Sequence, residues 1–164
     1  MPSTGPSPRM RSWLALSALI VAADQLAKFV AVHTLAASKA VAVTPFLNLV
    51  LVYNSGAAFS FLADAAGWQR GLFIAIALAA SAWIVYLLRQ HPQQRLFALA
   101  LSLVLAGAVG NAIDRIRIGA VIDFIDVHAY GYHWPAFNVA DSAITCGAAL
   151  LIWDALRPGR KAGG

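Results

Sequence analysis

Long apolar stretches alternate with short polar ones along the chain, at a length that fits membrane-spanning helices. The runs over 71–88 and 96–113 contain no charged residue, and each approaches the roughly 20 apolar residues that a transmembrane helix requires. Two further runs, over about 12–32 and 140–156, are interrupted only by three acids and one lysine. The pattern predicts four spanning helices.

The stretch over 41–63 is also uncharged, and a hydropathy window alone would make it a fifth helix. Its residues argue otherwise, because Pro45, Asn48 and the sequence Asn54-Ser55-Gly56 interrupt it. The segment from Leu47 to Tyr53 is rich in the β-branched and aromatic residues that strands favour. We therefore predict short β-structure here, lying on the membrane surface or against the helix bundle.

Composition supports a membrane protein. Hydrophobic residues make up 60% of the chain and charged residues 12%, whereas about a quarter of the residues in a soluble domain are charged. The length suits one compact bundle, so residues 1–164 are interpreted as a single membrane-embedded, mainly α domain. The net charge of +5 comes from scattered basic residues, which form no basic face, so no nucleic-acid partner is predicted.

The basic residues instead indicate topology. With four spans, the N-terminal segment, the connection between the second and third spans, and the C-terminal tail lie on one side, which the positive-inside rule makes cytoplasmic. Both termini are then cytoplasmic, and 33–70 and 114–139 face outward. The residues on the cytoplasmic side are Arg9, Arg11, Arg89, Arg95, Arg157, Arg160 and Lys161.

A cleaved signal peptide is an alternative for the N-terminus, because Arg9 and Arg11 precede an apolar run. Asp24 and Lys28 stand where such a peptide would have a purely apolar core or small residues. A retained first helix is therefore the preferred interpretation.

Acids are scarce in this chain, which has seven Asp and no Glu. A carboxylate in or near the hydrocarbon region is costly, so function is the default hypothesis for it. Asp123 and Asp141 could form a pair of the kind that activates water in aspartyl proteases. Asp141 also has a structural interpretation, because Asn138-Val-Ala-Asp141 resembles a helix capping box. Asp123 lies beyond the third apolar run, where no cap is needed.

Other polar residues share helix faces. Asp24 and Lys28 have the i, i+4 spacing of an ion pair, which could serve only to neutralise both charges. Asn111 shares a face with Asp114 and Arg115; we expect Asp114 to pair with an arginine and the other two to point toward a polar site. The lone Cys146 is interpreted as a packing residue. The histidines show no metal-ligand spacing, so neither a metal nor a cofactor is predicted; they are His33, His91, His128 and His133.

Four motifs in order resemble those of the lipoprotein signal peptidase family, also called signal peptidase II, which are bacterial membrane aspartyl proteases. They are Asp24-Gln-Leu-Ala-Lys28, Tyr53-Asn-Ser-Gly-Ala-Ala-Phe59, Gly110-Asn-Ala-Ile-Asp-Arg115 followed by Gly119-Ala-Val-Ile-Asp-Phe124, and Phe137-Asn-Val-Ala-Asp-Ser-Ala143.

The resemblance implies a fold of four helices with a small β-cradle and a short outer-surface helix, here near residues 59–69. It implies that Asp123 and Asp141 are the catalytic acids. Further positions match residues that line the substrate site, namely Asn54, Asn111, Arg115 and Asn138, or residues with a supporting role, namely Asp24, Lys28 and Asp114. Which acid carries the proton stays open, although a helix N-terminus favours a charged Asp141.

The resemblance also implies a reaction and a location. The family cleaves prolipoproteins just before a diacylglyceryl-modified cysteine, at the outer face of the bacterial cytoplasmic (inner) membrane. We expect membrane lipid as a partner, a monomer, and inhibition by cyclic peptide antibiotics such as globomycin. Two other functions compete. A proton-coupled transporter predicts acids near mid-helix and duplicated halves, and a non-enzymatic scaffold has no need of the polar motifs.

Overall fold

The computed structural model describes residues 7–36, 40–56 and 68–157, which form four helices and four strands. The short surface helix expected near 59–69 falls mostly outside the described residues, and Trp68 and Gln69 already belong to the second long helix. In chain order the elements are α1 (Pro8–Leu35), β1 (Val41–Thr44), β2 (Leu47–Asn54), α2 (Trp68–Gln90), α3 (Arg95–Ile118), β3 (Val121–Ala129), β4 (Tyr132–His133) and α4 (Val139–Leu156).

All four helices are long and apolar enough to cross a membrane, and their positions agree with the four apolar runs. The helices extend further than hydropathy predicts. The third apolar run ends at 113, whereas α3 continues to Ile118 and includes Asp114 and Arg115. It ends where Gly119 adopts a φ of 81° and donates its N–H to the carbonyl oxygen of Arg115, a left-handed cap that glycine accommodates without strain.

The third helix lies at the centre of the bundle and contacts each of the other three. It approaches α4 closely: a Cβ added to Gly147 would lie 2.7 Å from the carbonyl oxygen of Ala100. Small residues therefore let the two backbones meet, as is common between helices in lipid. Cys146 lies on the other side of α4 and is exposed, so its interpretation as a packing residue was wrong.

A four-stranded antiparallel sheet, in the order β1-β2-β3-β4, lies across one end of the bundle. The prediction of β-structure is confirmed for β1 and β2, whereas 57–63 lies outside the described residues. At the opposite end, the start of α1 contacts the connection between α2 and α3. There the indole N–H of Trp13 donates to the carbonyl oxygen of Pro92 at 3.1 Å, and Arg9 donates to Gln93.

Candidate active site

The strand β3 carries Asp123 into the protein interior, where its surface is 1% exposed. Asp123 lies opposite Val52 of β2. The same strand also hydrogen-bonds Phe137, which lies just before α4. The backbone N–H groups of Phe124 and Ile125 both donate to the carbonyl oxygen of Phe137, and the backbone N–H of Phe137 donates to the carbonyl oxygen of Ile125. This bridge brings the start of α4, and with it Asp141, next to Asp123.

Asn138 caps α4 and contacts both acids. Its Oδ1 accepts the backbone N–H of Asp141 at 2.8 Å, and its own backbone N–H donates to Asp141 Oδ2 at 3.3 Å. The predicted capping box is therefore present. The same side chain donates from Nδ2 to Asp123 Oδ1 at 2.7 Å. The cap is thus compatible with a pairing of the two acids, because one asparagine bonds both carboxyl groups.

Two more asparagines complete the surroundings of the acids. Asn111 on α3 donates from Nδ2 to Asp141 Oδ1 at 2.7 Å, and Asn54 on β2 donates to Asp123 Oδ2 at 3.0 Å. Each of the four carboxylate oxygens consequently accepts an N–H. Asn138 has no exposed surface and Asn111 only 7%, so both face the acids and not the solvent or lipid.

A buried ion-pair network lies behind the acids, between α1 and α3. The predicted pair is present, with Lys28 Nζ 2.8 Å from Asp24 Oδ2. The expectation that Asp114 pairs with an arginine was wrong: Asp114 Oδ2 lies 2.7 Å from the same ammonium group, because α1 packs against that face of α3. Asp24 also accepts the backbone N–H of Ala140 at 2.9 Å, which links α1 to the first turn of α4.

Sequence reasoning missed Gln25, which joins this network. Its Nε2 lies 2.9 Å from Asp114 Oδ1, 3.2 Å from Asp24 Oδ2 and 3.2 Å from the carbonyl oxygen of Gly110. An amide within an apolar run was the available signal. Gly110 itself must remain small, because a Cβ there would lie 2.8 Å from Asp24 Oδ2.

Arg115 belongs to the same end of α3 but points away from the ion-pair network. Its guanidinium carbon lies 4.8 Å from the centroid of the Phe73 ring, and it forms no ion pair within the part of the chain that the structure describes. Its charge lies close enough to Asp141 and Asp123 to interact with both.

The site holds more acids than cations. Asp24, Asp114, Asp123 and Asp141 outnumber the cations Lys28 and Arg115. The pKa of Asp123 is raised from 3.8 to about 6: burial is the main cause and the negative charge of Asp141 adds to it, while hydrogen bonds from Asn54 and Asn138 and the charge of Lys28 act in the opposite direction. Adjacent carboxyl groups cannot both ionise without cost, so they can hold a proton between them and act as base and acid on one water.

The chain matches known proteins over nearly its whole length. The family model described as signal peptidase (SPase) II matches residues 16–157. The lipoprotein signal peptidase of Cupriavidus pinatubonensis is 57% identical over 149 residues, which cover 91% of this chain and 85% of that protein. The lipoprotein signal peptidase of Burkholderia mallei is 55% identical over 150 residues, covering 92% of this chain and 90% of that protein.

Two solved structures have the same fold. One is described as a bacterial membrane enzyme determined by the in meso method at 1.9 Å resolution; it has a TM-score of 0.79 and 34% sequence identity, covering 89% of this chain and 93% of that chain. Another, described in the same words at 2.3 Å resolution, has a TM-score of 0.79 and 32% identity and covers 93% of each chain. The mainly helical bundle with a small sheet is thus shared with membrane enzymes.

Proposed function

The chain belongs to the signal peptidase II family, whose members are proteases that remove signal peptides from lipoproteins, and on that premise we propose the reaction in detail. The enzyme hydrolyses the peptide bond just before a diacylglyceryl-modified cysteine of a prolipoprotein, by an aspartic mechanism. The observation that carries this proposal is the side chain and backbone of Asn138, which contact both Asp123 and Asp141.

Asp141 is the proposed base. Its oxygens accept hydrogen bonds from the side chain of Asn111 and the backbone of Asn138, and it lies in the first turn of α4, where the helix dipole favours negative charge. Asp141 takes one proton from a water molecule while the water oxygen bonds to the scissile carbonyl carbon.

Asp123 is the proposed acid, because burial raises its pKa to about 6. It donates its proton to the carbonyl oxygen, which gives a neutral tetrahedral diol. When the diol collapses, the proton on Asp141 passes to the leaving nitrogen, the C–N bond breaks, and a hydroxyl proton of the diol returns to Asp123. The pair thus ends the cycle with one proton, as it began.

The remaining site residues divide by exposure. Arg115 and Asn54 are partly exposed beside the acids and contact the substrate, with the guanidinium fork of Arg115 suited to oxygen atoms of its backbone or ester groups. Asn111 and Asn138 are buried and hold the two acids in position. The acyl chains of the substrate stay in the surrounding lipid.

The four helices and the related membrane enzymes identify a multi-pass membrane protein. We place it in the bacterial cytoplasmic membrane as a monomer, with both termini cytoplasmic and the acids near the outer face. Two observations support this orientation. Arg9, Arg11, Arg89 and Arg95 gather at the end of the bundle where α1 contacts the α2–α3 connection, and the acids lie at the other end.

A cleavage assay tests the substrate. The purified protein in lipid nanodiscs receives a synthetic prolipoprotein peptide whose cysteine carries diacylglyceryl, and in parallel the same peptide with an unmodified cysteine. We expect only the lipidated peptide to be cut, with the lipidated cysteine at the new N-terminus by mass spectrometry and with inhibition by globomycin. Equal cleavage of both peptides would contradict the proposed specificity.

A further inference from the structure

Lys28 is the one buried cation of the described residues, with 1% of its surface exposed. An ammonium group has three N–H donors and no acceptor. Each donor finds one acceptor here: Asp24 Oδ2 at 2.8 Å, Asp114 Oδ2 at 2.7 Å and Asn111 Oδ1 at 3.1 Å. The third donor of Lys28 is thus satisfied by the amide oxygen of Asn111 and not by a carboxylate.

The contact with Lys28 helps to set the direction in which the amide of Asn111 points, together with a longer bond of 3.3 Å from Asn138 Nδ2 to the same oxygen. An asparagine side chain has one end that accepts and one that donates. Because the ammonium can only donate, the oxygen of Asn111 faces Lys28, and the amide nitrogen is turned toward Asp141, 2.7 Å from Oδ1. The reversed amide would oppose oxygen to the carboxylate and N–H to the ammonium, and both contacts would be repulsive.

We infer that Lys28 is a positioning residue for the hydrolysis, which holds the amide of Asn111 so that its N–H stays against the carboxylate of Asp141. The inference rests on the proposed function, because it gives Lys28 a part in that reaction. Asp24 and Asp114 in turn fix the ammonium, and Asp24 bonds the backbone of Ala140 at the start of α4. The base is therefore held from α1 as well as from its own helix.

A double-mutant cycle tests whether Lys28 acts through Asn111. Lys28→Gln keeps an N–H donor without the charge, and Lys28→Met keeps neither. For Lys28→Met we expect kcat to fall on the order of 10-fold to 100-fold, the effect of losing one hydrogen bond to a charged group, with KM little changed. Lys28→Gln should retain more of the turnover, and it carries the cycle if the Met variant does not accumulate in the membrane.

The cycle compares the same change in two backgrounds. In Asn111→Ala protein, Lys28→Met should lower kcat little further, because the residue through which it acts is gone. In Asn54→Ala protein, which lacks a donor to the other acid, its full effect should remain. An equal loss of kcat in both backgrounds would show a merely structural role and would overturn the inference.

An NMR measurement separates this inference from the proposed function, since it needs no cleavage. In protein labelled with [15N]asparagine, the side-chain amide signals of Asn111 should shift in Lys28→Gln, whereas those of Asn48, which bonds Asp126, should not. Unmoved Asn111 signals would overturn the inference even if cleavage were lost. Wild-type protein that cut no lipidated peptide would overturn the proposed function, and the role of Lys28 in it, whatever the signals showed.

Discussion

Asn54 and Asp123 are joined across the β2–β3 strand pair by a hydrogen bond of 3.0 Å from Nδ2 to Oδ2. Further back on β2, Asn48 makes a similar bond of 2.9 Å to Asp126. The surroundings of the two aspartates differ. Burial raises the pKa of Asp123 to about 6, whereas the bonds from Asn48 and His133 lower the pKa of Asp126. An asparagine on β2 thus donates a hydrogen bond both to the candidate catalytic acid Asp123 and to Asp126, which has no proposed role in catalysis.

The first prediction concerns pH. If turnover needs one proton on the pair, kcat/KM should decline as pH rises through about 6, where Asp123 loses that proton. The hydrogen bond from Asn54 lowers the pKa of Asp123, so its removal in Asn54→Ala should raise this pKa and move the alkaline limb of the profile to higher pH. The measurement is kcat/KM for a lipidated peptide between about pH 4 and about pH 9, a profile that reports macroscopic pKa values of the coupled pair.

Asn48→Ala is the matched control, since it removes the same kind of bond from Asp126 on the same strand pair. Its profile should coincide with that of the wild type. An alkaline limb that stayed in place in Asn54→Ala would mean that the limb reports some group other than Asp123.

The second prediction concerns the two acids. Asn has nearly the shape of Asp and can still cap a helix, but it cannot act as a base. Asp123→Asn and Asp141→Asn should each lower turnover by about 100-fold to 10,000-fold, the usual contribution of general acid–base catalysis, while the protein still accumulates in the membrane. Asp154→Asn, at the far end of α4, should remain active. Near-normal turnover by Asp141→Asn would leave Asp141 with capping alone.

The third prediction concerns Arg115. Lys keeps the positive charge but loses the planar fork and the stacking over Phe73. Arg115→Lys should therefore raise KM for the lipidated peptide without lowering the unfolding temperature. Arg117→Lys is the control, because Arg117 is exposed on the next part of the same helix and should tolerate the change. If both variants behaved like the wild type, Arg115 would have no part in binding.

The fourth prediction concerns topology. Tyr130 at the β3–β4 turn is fully exposed at the sheet end of the bundle, and Gln93 lies in the α2–α3 connection at the other end. A membrane-impermeant thiol reagent added to intact cells should label Tyr130→Cys but not Gln93→Cys. Both are made in a Cys146→Ser background, since the native cysteine is exposed. Labelling of Gln93→Cys from outside would reverse the proposed orientation.

The fifth prediction concerns the contact between α3 and α4. A Cβ at Gly147 would meet the backbone of Ala100 at 2.7 Å, and overpacking of this kind costs about 1–3 kcal/mol. Gly147→Ala should lower the unfolding temperature measured in detergent. At Gly71 a Cβ meets nothing within 4 Å, so Gly71→Ala should be neutral or slightly stabilising. If the two variants had the same unfolding temperature, the packing of α3 against α4 would not depend on the close backbone approach at Gly147.

The sequence predicted the four helices and the β-structure of β1 and β2 from their periodicity and composition, but it did not indicate β3 and β4. It also identified the capping box and the pair Asp24–Lys28, since both are contacts within one helix or its cap. Helix ends were less predictable. The apolar run ends just before Asp114. The helical backbone hydrogen bonds continue beyond it, and they end only at Gly119.

Contacts between elements were the part that sequence reasoning got wrong or missed. Asp114 bonds Lys28 across α1 and α3, and no spacing along one helix indicates which face of another it meets. Gln25 was overlooked for the same reason, because its partners Gly110 and Asp114 lie on α3. The joint role of Asn138 depends on the bridge between Ile125 and Phe137, a long-range pairing that neither segment reveals alone.

The ion pair within α1 has a consequence for how the protein is made. Asp24 and Lys28 lie one turn apart and contact each other directly, so α1 already carries the counter-ion for each of its intramembrane charges. A helix neutralised in this way enters the bilayer at less cost than one with a lone charge. Insertion of α1 therefore does not have to wait for the synthesis of α3. Asp114 can join the pair later, when the inserted helices associate within the membrane.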